Sequence, residues 1–285
     1  MRARSSPRPA RHRDRVHTRE SNRKRLAAPR SCLAREALLK AMPPLEFESP
    51  PFLVERLQAQ RERIASAAER AGRDPRAVRL VAVSKFHPAA AIRAAYAAGQ
   101  RDFGENYVQE MSAKAADLAD LTELKWHLIG HLQSNKAKSI AGWVHCVQTV
   151  STVKAAAELG KRALEKREQE KGALRVLVEV NVGGELSKSG CAPSELGDVL
   201  RAIDQQPNLS LVGLMTIPPA STDAEEARPF FAELRTLRDL HGGIARLPEL
   251  SMGMSHDAES AVAEGATWVR IGTAIFGERP RPAED

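Results

Sequence analysis

The sequence predicts an α/β protein built as a single (β/α)8 TIM barrel, preceded by a disordered Arg-rich leader. Three observations carry that fold class. Apolar runs of strand length alternate eight times with helix-forming segments between about residues 51 and 276, the joining loops are short, and no long antiparallel hairpin signal interrupts the series. An open doubly wound sheet would show a glycine fingerprint after its first strand, and Ser84-Lys85-Phe86-His87-Pro88 stands there instead.

The elements follow in order. Residues 51–72 place Phe52, Leu53, Leu57, Ile64 and Ala68 on roughly one helical face, which predicts an opening helix. Val78 to Lys85 is β-branched, apolar and closed by Pro88, as a fully buried parallel strand should be. The alanine-rich segment His87 to Gly99 is the next helix, with glycine as its stop. Strand two is Asp102 to Glu105, strand three Trp126 to Gly130 and strand four Val144 to Val150, each followed by a helix; Ser151 is read as the cap of the third of these. Strand five is Arg175 to Val182, strand six Leu209 to Ile217, strand seven Leu250 to Met254 and strand eight Trp268 to Phe276.

Charge is divided unevenly. Residues 1–41 hold 13 basic and 3 acidic side chains, a net of +10, which leaves 30 basic and 33 acidic, a net of −3, for the remainder. The folded part therefore has no basic surplus for a phosphate backbone, and nucleic acid is expected only at the leader. That leader, residues 1–44, is broken by Pro7, Pro9 and Pro29 and lacks the apolar segment of a secretory signal. Met42 is the preferred true start, with an organelle transit peptide or an RNA-binding arm as the other readings. Residues 45–285 form the barrel domain. No apolar run reaches the roughly 20 residues that cross a bilayer. Cys32, Cys146 and Cys191 are too few for a disulfide framework, so a reducing, cytoplasmic setting is expected.

Strand ends of a barrel converge on one mouth, where its chemistry is done. Those ends supply Lys85, Glu105, Asn106, His127, Asn181, Met215, Thr216, Ser251 to Ser255 and Arg270 to Thr273. The set contains one amine nucleophile and no paired carboxylates of a hydrolase. No metal site is expected, because His127 and His131 would not share a face. A lysine here can be a solvent-seeking cation, and Gly253 and Gly272 can be simple turn residues. Taken together, an amine on strand one facing glycine and hydroxyl loops across the mouth suits a ligand with both an aldehyde and a phosphate.

The motifs AVSKFHP, FGENYVQE, KWHLIGHLQSNK, VNVGGELSKSG, GLMTI and LSMGMSHDAESAVAEGATWVRIGTAIFGER resemble the pyridoxal 5'-phosphate homeostasis protein family, YggS/PROSC-type relatives of the alanine racemase N-terminal barrel. The likeness spans about Pro51 to Arg279 and leaves out the leader. It implies that Lys85 forms a Schiff base with pyridoxal 5'-phosphate (PLP), that Asn106 lies by the cofactor ring and that Arg270 faces the pyridine nitrogen. It further implies that Ser251, Ser255, Gly272 and Thr273 hold the phosphate, and Met215 completes the cofactor-binding set.

The implied function is PLP binding in vitamin B6 homeostasis without catalysis, by a monomer that passes the cofactor to PLP-dependent apo-enzymes. A permanently charged Arg270 disfavours protonation of the ring nitrogen and weakens the electron sink. Racemisation needs a second acid/base, which alanine racemase takes from a tyrosine of a further domain; the chain ends at Asp285 without one, and Tyr96 and Tyr107 are expected to pack on helices. A PLP-dependent racemase-like enzyme is the alternative, with a class I aldolase behind it.

Overall fold

The structure is a computed structural model that describes residues 50–166, 172–185 and 188–278. The leader assigned to residues 1–44 lies outside them. Eight parallel strands close into a barrel in sequence order: β1 (Arg79–Val83), β2 (Asp102–Glu105), β3 (Lys125–Leu128), β4 (Cys146–Val150), β5 (Leu174–Glu179), β6 (Leu209–Met215), β7 (Glu249–Ser251) and β8 (Trp268–Ile271). β1 closes the ring by pairing with β8, in a register that sets Val81 beside Arg270. Among the described residues no helix is long and apolar enough to cross a membrane.

Amphipathic helices wrap the outside. The opening helix, α1 (Pro50–Arg70), buries Leu53, Leu57, Ile64 and Ala68, whose spacing of four, seven and four keeps them on one stripe. Phe52, predicted on that stripe, is 58% exposed, because one residue before Leu53 is a turn of about 100° away from it. The other helices that matter below are α2 (Ala89–Ala97), α3 (Val108–Asp117), α4 (Ala137–Ile140) and α5 (Val153–Lys166). The cap of α5 is Thr152, whose Oγ1 accepts from Ala155 N at 3.0 Å, and not Ser151. A capping hydroxyl reaches the N–H three residues on, so it must directly precede the first helical residue. The predicted eighth strand is also too long. It stops at Ile271, and Thr273–Phe276 turns into a one-turn helix after Gly272.

Inside the ring the strands alternate, and parallel pairing makes residues in register share a face. A small apolar group of Val81, Cys146, Leu177, Met215 and Trp268 packs separately from the large core between sheet and helices. Arg175, Leu177 and Glu179 of β5 then lie on one face, running from the N-terminal end of the barrel to its mouth. At the N-terminal end Glu249 accepts from both Arg79 and Arg175, whose guanidinium carbons lie 4.7 and 5.6 Å from the centroid of Trp268.

Candidate functional site

Lys85 lies two residues beyond β1, half-buried, in a turn that the neighbouring elements hold tightly. Ser84 N donates to Gly104 O at 3.1 Å and Ser84 Oγ donates to Glu105 Oε1 at 2.7 Å. From α3, the buried Lys114 ammonium donates to Ser84 O and Glu105 Oε1, both at 2.7 Å, and to Glu110 Oε1 at 2.8 Å. Phe86 N donates to the same Glu110 oxygen at 2.5 Å. These bonds hold Phe86 in the left-handed region, at φ +68°, a conformation a bulky side chain adopts only when its surroundings enforce it. Burial pushes Glu105 up to about 7 against the pull of Lys114.

Asn106 follows Glu105 and is half-buried. The loop after β3 presses on it: a Cβ added to Gly130 would stand 2.2 Å from Asn106 O, and Thr149 Oγ1 donates to Gly130 O at 2.8 Å. Only glycine lets these two backbones meet there.

Arg270 is the buried cation of the mouth. Its Nη1 donates to Ser251 Oγ at 2.8 Å and its Nη2 to Thr216 O at 2.9 Å, while its backbone N donates to Gly253 O at 2.9 Å. Burial pulls its pKa down to about 10, so the guanidinium stays charged at neutral pH. Gly253 takes φ +91°, and a Cβ there would lie 2.5 Å from the Ala261 side chain. A Cβ on Gly272 would lie 3.0 Å from Val83 O, two residues before Lys85. Thr273 is exposed and Ser255 half-buried, its carbonyl receiving Arg63 Nη1 at 2.6 Å.

The ring closure corrects one expectation. The glycine loop after β8 is not across the mouth from Lys85 but beside it, because β8 is the hydrogen-bonded neighbour of β1. An amine and a phosphate cradle on adjacent strands suit the two ends of one small ligand. His127 does not belong to the mouth at all. Its Nε2 meets Asp102 Oδ1 at 2.9 Å, towards the N-terminal end, because its place on β3 pairs with Gly104 and Cys146. Asn181 spends its amide on Glu185 O at 2.9 Å. Tyr107 is 52% exposed at the start of α3, with its ring centroid 5.8 Å from that of Phe86, and does not pack in the core.

Three buried side chains escape the reading by predicted strand ends: Lys114 on α3, Gln148 within β4, and Glu179, because the sequence predicts strand five running on to Val182. Glu179 sits at the end of β5, four strands from β1 in a ring of eight and so opposite the Lys85 turn. Its Oε2 is buried without a hydrogen-bond partner. Burial pushes the group up to about 7, against the pull of Arg270. The period-two pattern of β5 is the signal that would have found it.

Asp102, His127 and His145 bring one ligand atom each within 4.8 Å of the others, the metal-like cluster among the described residues. The Nε2 of His127 is already engaged by Asp102, and the Arg79 and Arg175 charges bear on the same ring. Two grooves of about 440 and 460 Å3 open at this N-terminal end, away from Lys85 and Arg270. The mouth is the better candidate, because Lys85, the buried Arg270 guanidinium and the orphaned Glu179 Oε2 stand at the strand ends there.

Comparison with known proteins agrees. The family described as "Alanine racemase, N-terminal domain" matches residues 56–280. The chain is 52% identical over 221 residues to the pyridoxal phosphate homeostasis protein of Pseudomonas aeruginosa, covering 76% of this chain and 91% of that one. The protein of the same name from Aquifex aeolicus is 46% identical over 228 residues, covering 79% and 97%. The solved structure of PipY from Synechococcus elongatus with PLP bound is 41% identical, with a TM-score of 0.67, and covers 79% of this chain and all of that one. Alanine racemase from Corynebacterium glutamicum, 19% identical with a TM-score of 0.54, covers 80% of this chain and 63% of that one, and shares the fold.

Proposed function

The chain belongs to the pyridoxal phosphate homeostasis protein family, and from that premise we propose that it binds PLP in intracellular vitamin B6 homeostasis, holding the cofactor on Lys85 for delivery to recipient apo-enzymes. The observation that carries the reading is the adjacency of the Lys85 turn to the Gly272 cradle, with the Arg270 guanidinium anchored in the same mouth. The residues fit the group. Lacking a Cβ, Gly253 closes against Ala261 and Gly272 against Val83, which draws both loops in to the strand ends, where backbone and hydroxyl donors of Ser255, Gly272 and Thr273 can take a phosphate.

When bound, the cofactor supplies an aldehyde that condenses with a primary amine. Lys85 provides that amine, and its turn is held in place by Ser84, Glu105 and Lys114. Each Arg270 Nη spends one of its two protons on Ser251 or Thr216, so a proton on each remains to meet an acceptor in the mouth. Met215, fully buried in the small inner group, and the half-buried Asn106 at the end of β2 complete the proposed set. Such a site retains an aldehyde: the fixed positive charge of Arg270 opposes a second charge on a ring nitrogen, which a strong electron sink requires.

The purified protein mixed with PLP should gain a visible absorbance band that hydroxylamine discharges and that Lys85→Ala lacks. An undiminished band in Lys85→Ala would remove Lys85 from the reading.

One observation favours a second reading, weak racemase-like proton exchange. Glu179 is a buried carboxyl, pushed up to about 7, on the wall opposite Lys85, which is where a second acid/base belongs. Amino acids incubated in deuterated solvent would exchange their Cα proton on this reading, and Glu179→Gln would stop it; no exchange in the unsubstituted protein leaves retention alone.

A further inference from the structure

A chain of five buried or half-buried side chains runs along the barrel interior from its N-terminal end to the mouth. Asp102 at the start of β2 meets His127 Nε2 at 2.9 Å, and Gln148 Nε2 meets His127 Nδ1 at 3.0 Å. Ser251 Oγ donates to Gln148 Oε1 at 2.7 Å, and Arg270 Nη1 donates to Ser251 Oγ at 2.8 Å. Five strands contribute, and His127, Gln148 and Ser251 are fully buried.

The direction of every bond follows from the two ends. A carboxylate only accepts, and the His127 hydrogen bond and the Lys125 charge hold Asp102 low in spite of burial. A neutral imidazole has one proton, which must then sit on Nε2, leaving Nδ1 as an acceptor. Nδ1 in turn selects the amide nitrogen of Gln148, so the amide oxygen faces Ser251. Ser251 has one proton, and Gln148 Oε1 takes it. The hydroxyl oxygen is left with its lone pairs towards Arg270, whose guanidinium has protons only to give. Turning any one group over would set donor against donor or acceptor against acceptor in the dry interior, which costs the full desolvation of both atoms.

We propose that His127 and Gln148 are positioning residues for the cofactor site: they fix the polarity of Ser251, and through it the aim of Arg270, from the opposite end of the barrel. Ser251 accordingly acts on the ligand through Arg270, since its own proton is spent on Gln148. The hydrogen bonds of His127 and Gln148 run to Asp102, to each other and to Ser251, on β2, β3, β4 and β7 rather than on the β1 turn that carries Lys85. The inference rests on the proposed PLP reading for its binding readout, and on the tautomer of His127 independently of it.

The test has two arms. Nitrogen-15 NMR of the full, unsubstituted chain should show His127 neutral with its proton on Nε2. In PLP titrations, Gln148→Met keeps the volume but breaks the chain on both sides; its dissociation constant should rise about tenfold, the size that goes with one lost hydrogen bond, and its visible band should shift. Gln148→Glu still accepts from Ser251, its second oxygen drawing a second proton onto the His127 ring, and should recover most of that affinity, which a purely volumetric role would not produce. Lys85→Ala, run alongside, reports on the PLP reading by itself: a band that survives there overturns that reading and leaves the tautomer result standing. A proton found on Nδ1 of His127, or a Gln148→Met protein that binds PLP within about twofold of the parent with an unshifted band, would overturn the relay.

Discussion

Glu179 is 5% exposed at the end of β5, and burial pushes its carboxyl from 4.5 up to about 7 while Arg270 pulls the other way. A native state that raises a carboxyl pKa binds the proton more tightly than the unfolded chain does. The group's contribution to stability is therefore complete below about pH 4.5 and is lost as the pH rises through about 7. Glu179→Gln has no proton to lose. Its stability relative to the parent should climb between about pH 5 and about pH 8, by at most about 3 kcal/mol, and level off above. Urea denaturation of both proteins across that range measures the difference. A difference that stays flat with pH would mean that Glu179 is ionised throughout, paired with Arg270 more closely than its orphaned oxygen indicates.

One helix, α3, joins the β1 turn to the end of β2, because Lys114 gives its three ammonium protons to Ser84 O, Glu105 and Glu110. Lys114→Met would leave Glu105 fully buried beside Ser84 with no counter-charge. A loss of about 3 kcal/mol or more is expected, larger at pH 8 than at pH 5 because the stranded carboxyl can take up a proton in acid. PLP should also bind more weakly, since the Lys85 turn loses its clamp; thermal melts and titrations at the two pH values check both. A variant as stable as the parent at pH 8 would show that Glu105 is already protonated there. This clamp was invisible in the sequence, where Lys114 is one more cation on a charged helix, whereas the eight strands and Lys85 were legible because apolar β-branched runs and strand-end residues have local signatures. Element ends were less so. Thr273–Phe276 is apolar and β-rich yet turns helical once Gly272 has left the sheet, and the hydroxyl that caps α5 is displaced by one residue from the one chosen. Gln148 and His127 sit in apolar strands, and the Ser251 that Gln148 meets comes from β7, three strands on and brought near β4 by ring closure, so no local pattern could pair them.

Across the whole barrel a stabilising N-terminal end stands apart from the mouth that carries the proposed PLP site, the division of labour usual in parallel barrels. The N-terminal end is tied by Glu249, 8% exposed, which accepts from Arg79 of β1, Arg175 of β5 and Thr267 Oγ1 and so links three strands around Trp268. Gly213 admits it: a Cβ there would collide with the Glu249 backbone at 1.9 Å. Both Glu249 and Gln148 are interior polar groups, and the Gln148 chain is the one that reaches Arg270 among the described residues. Glu249→Gln would weaken the hold on two partly exposed guanidiniums, so solvent takes up part of the loss and about 2 kcal/mol is the expected cost. The folded fraction should nevertheless bind PLP with the parent's affinity and the parent's absorbance band, because Glu249 is bonded to Arg79, Arg175 and Thr267 at the N-terminal end. Gln148→Met should instead lose affinity as well as stability, about 2 kcal/mol or more of the latter, because it leaves His127 Nδ1 and the Ser251 hydroxyl unpaired in the dry interior. Denaturation midpoints and PLP titrations on the two variants separate the roles. If Glu249→Gln also shifted the band, the two ends of the barrel would be coupled through Trp268 and the packed interior rather than through the single polar chain.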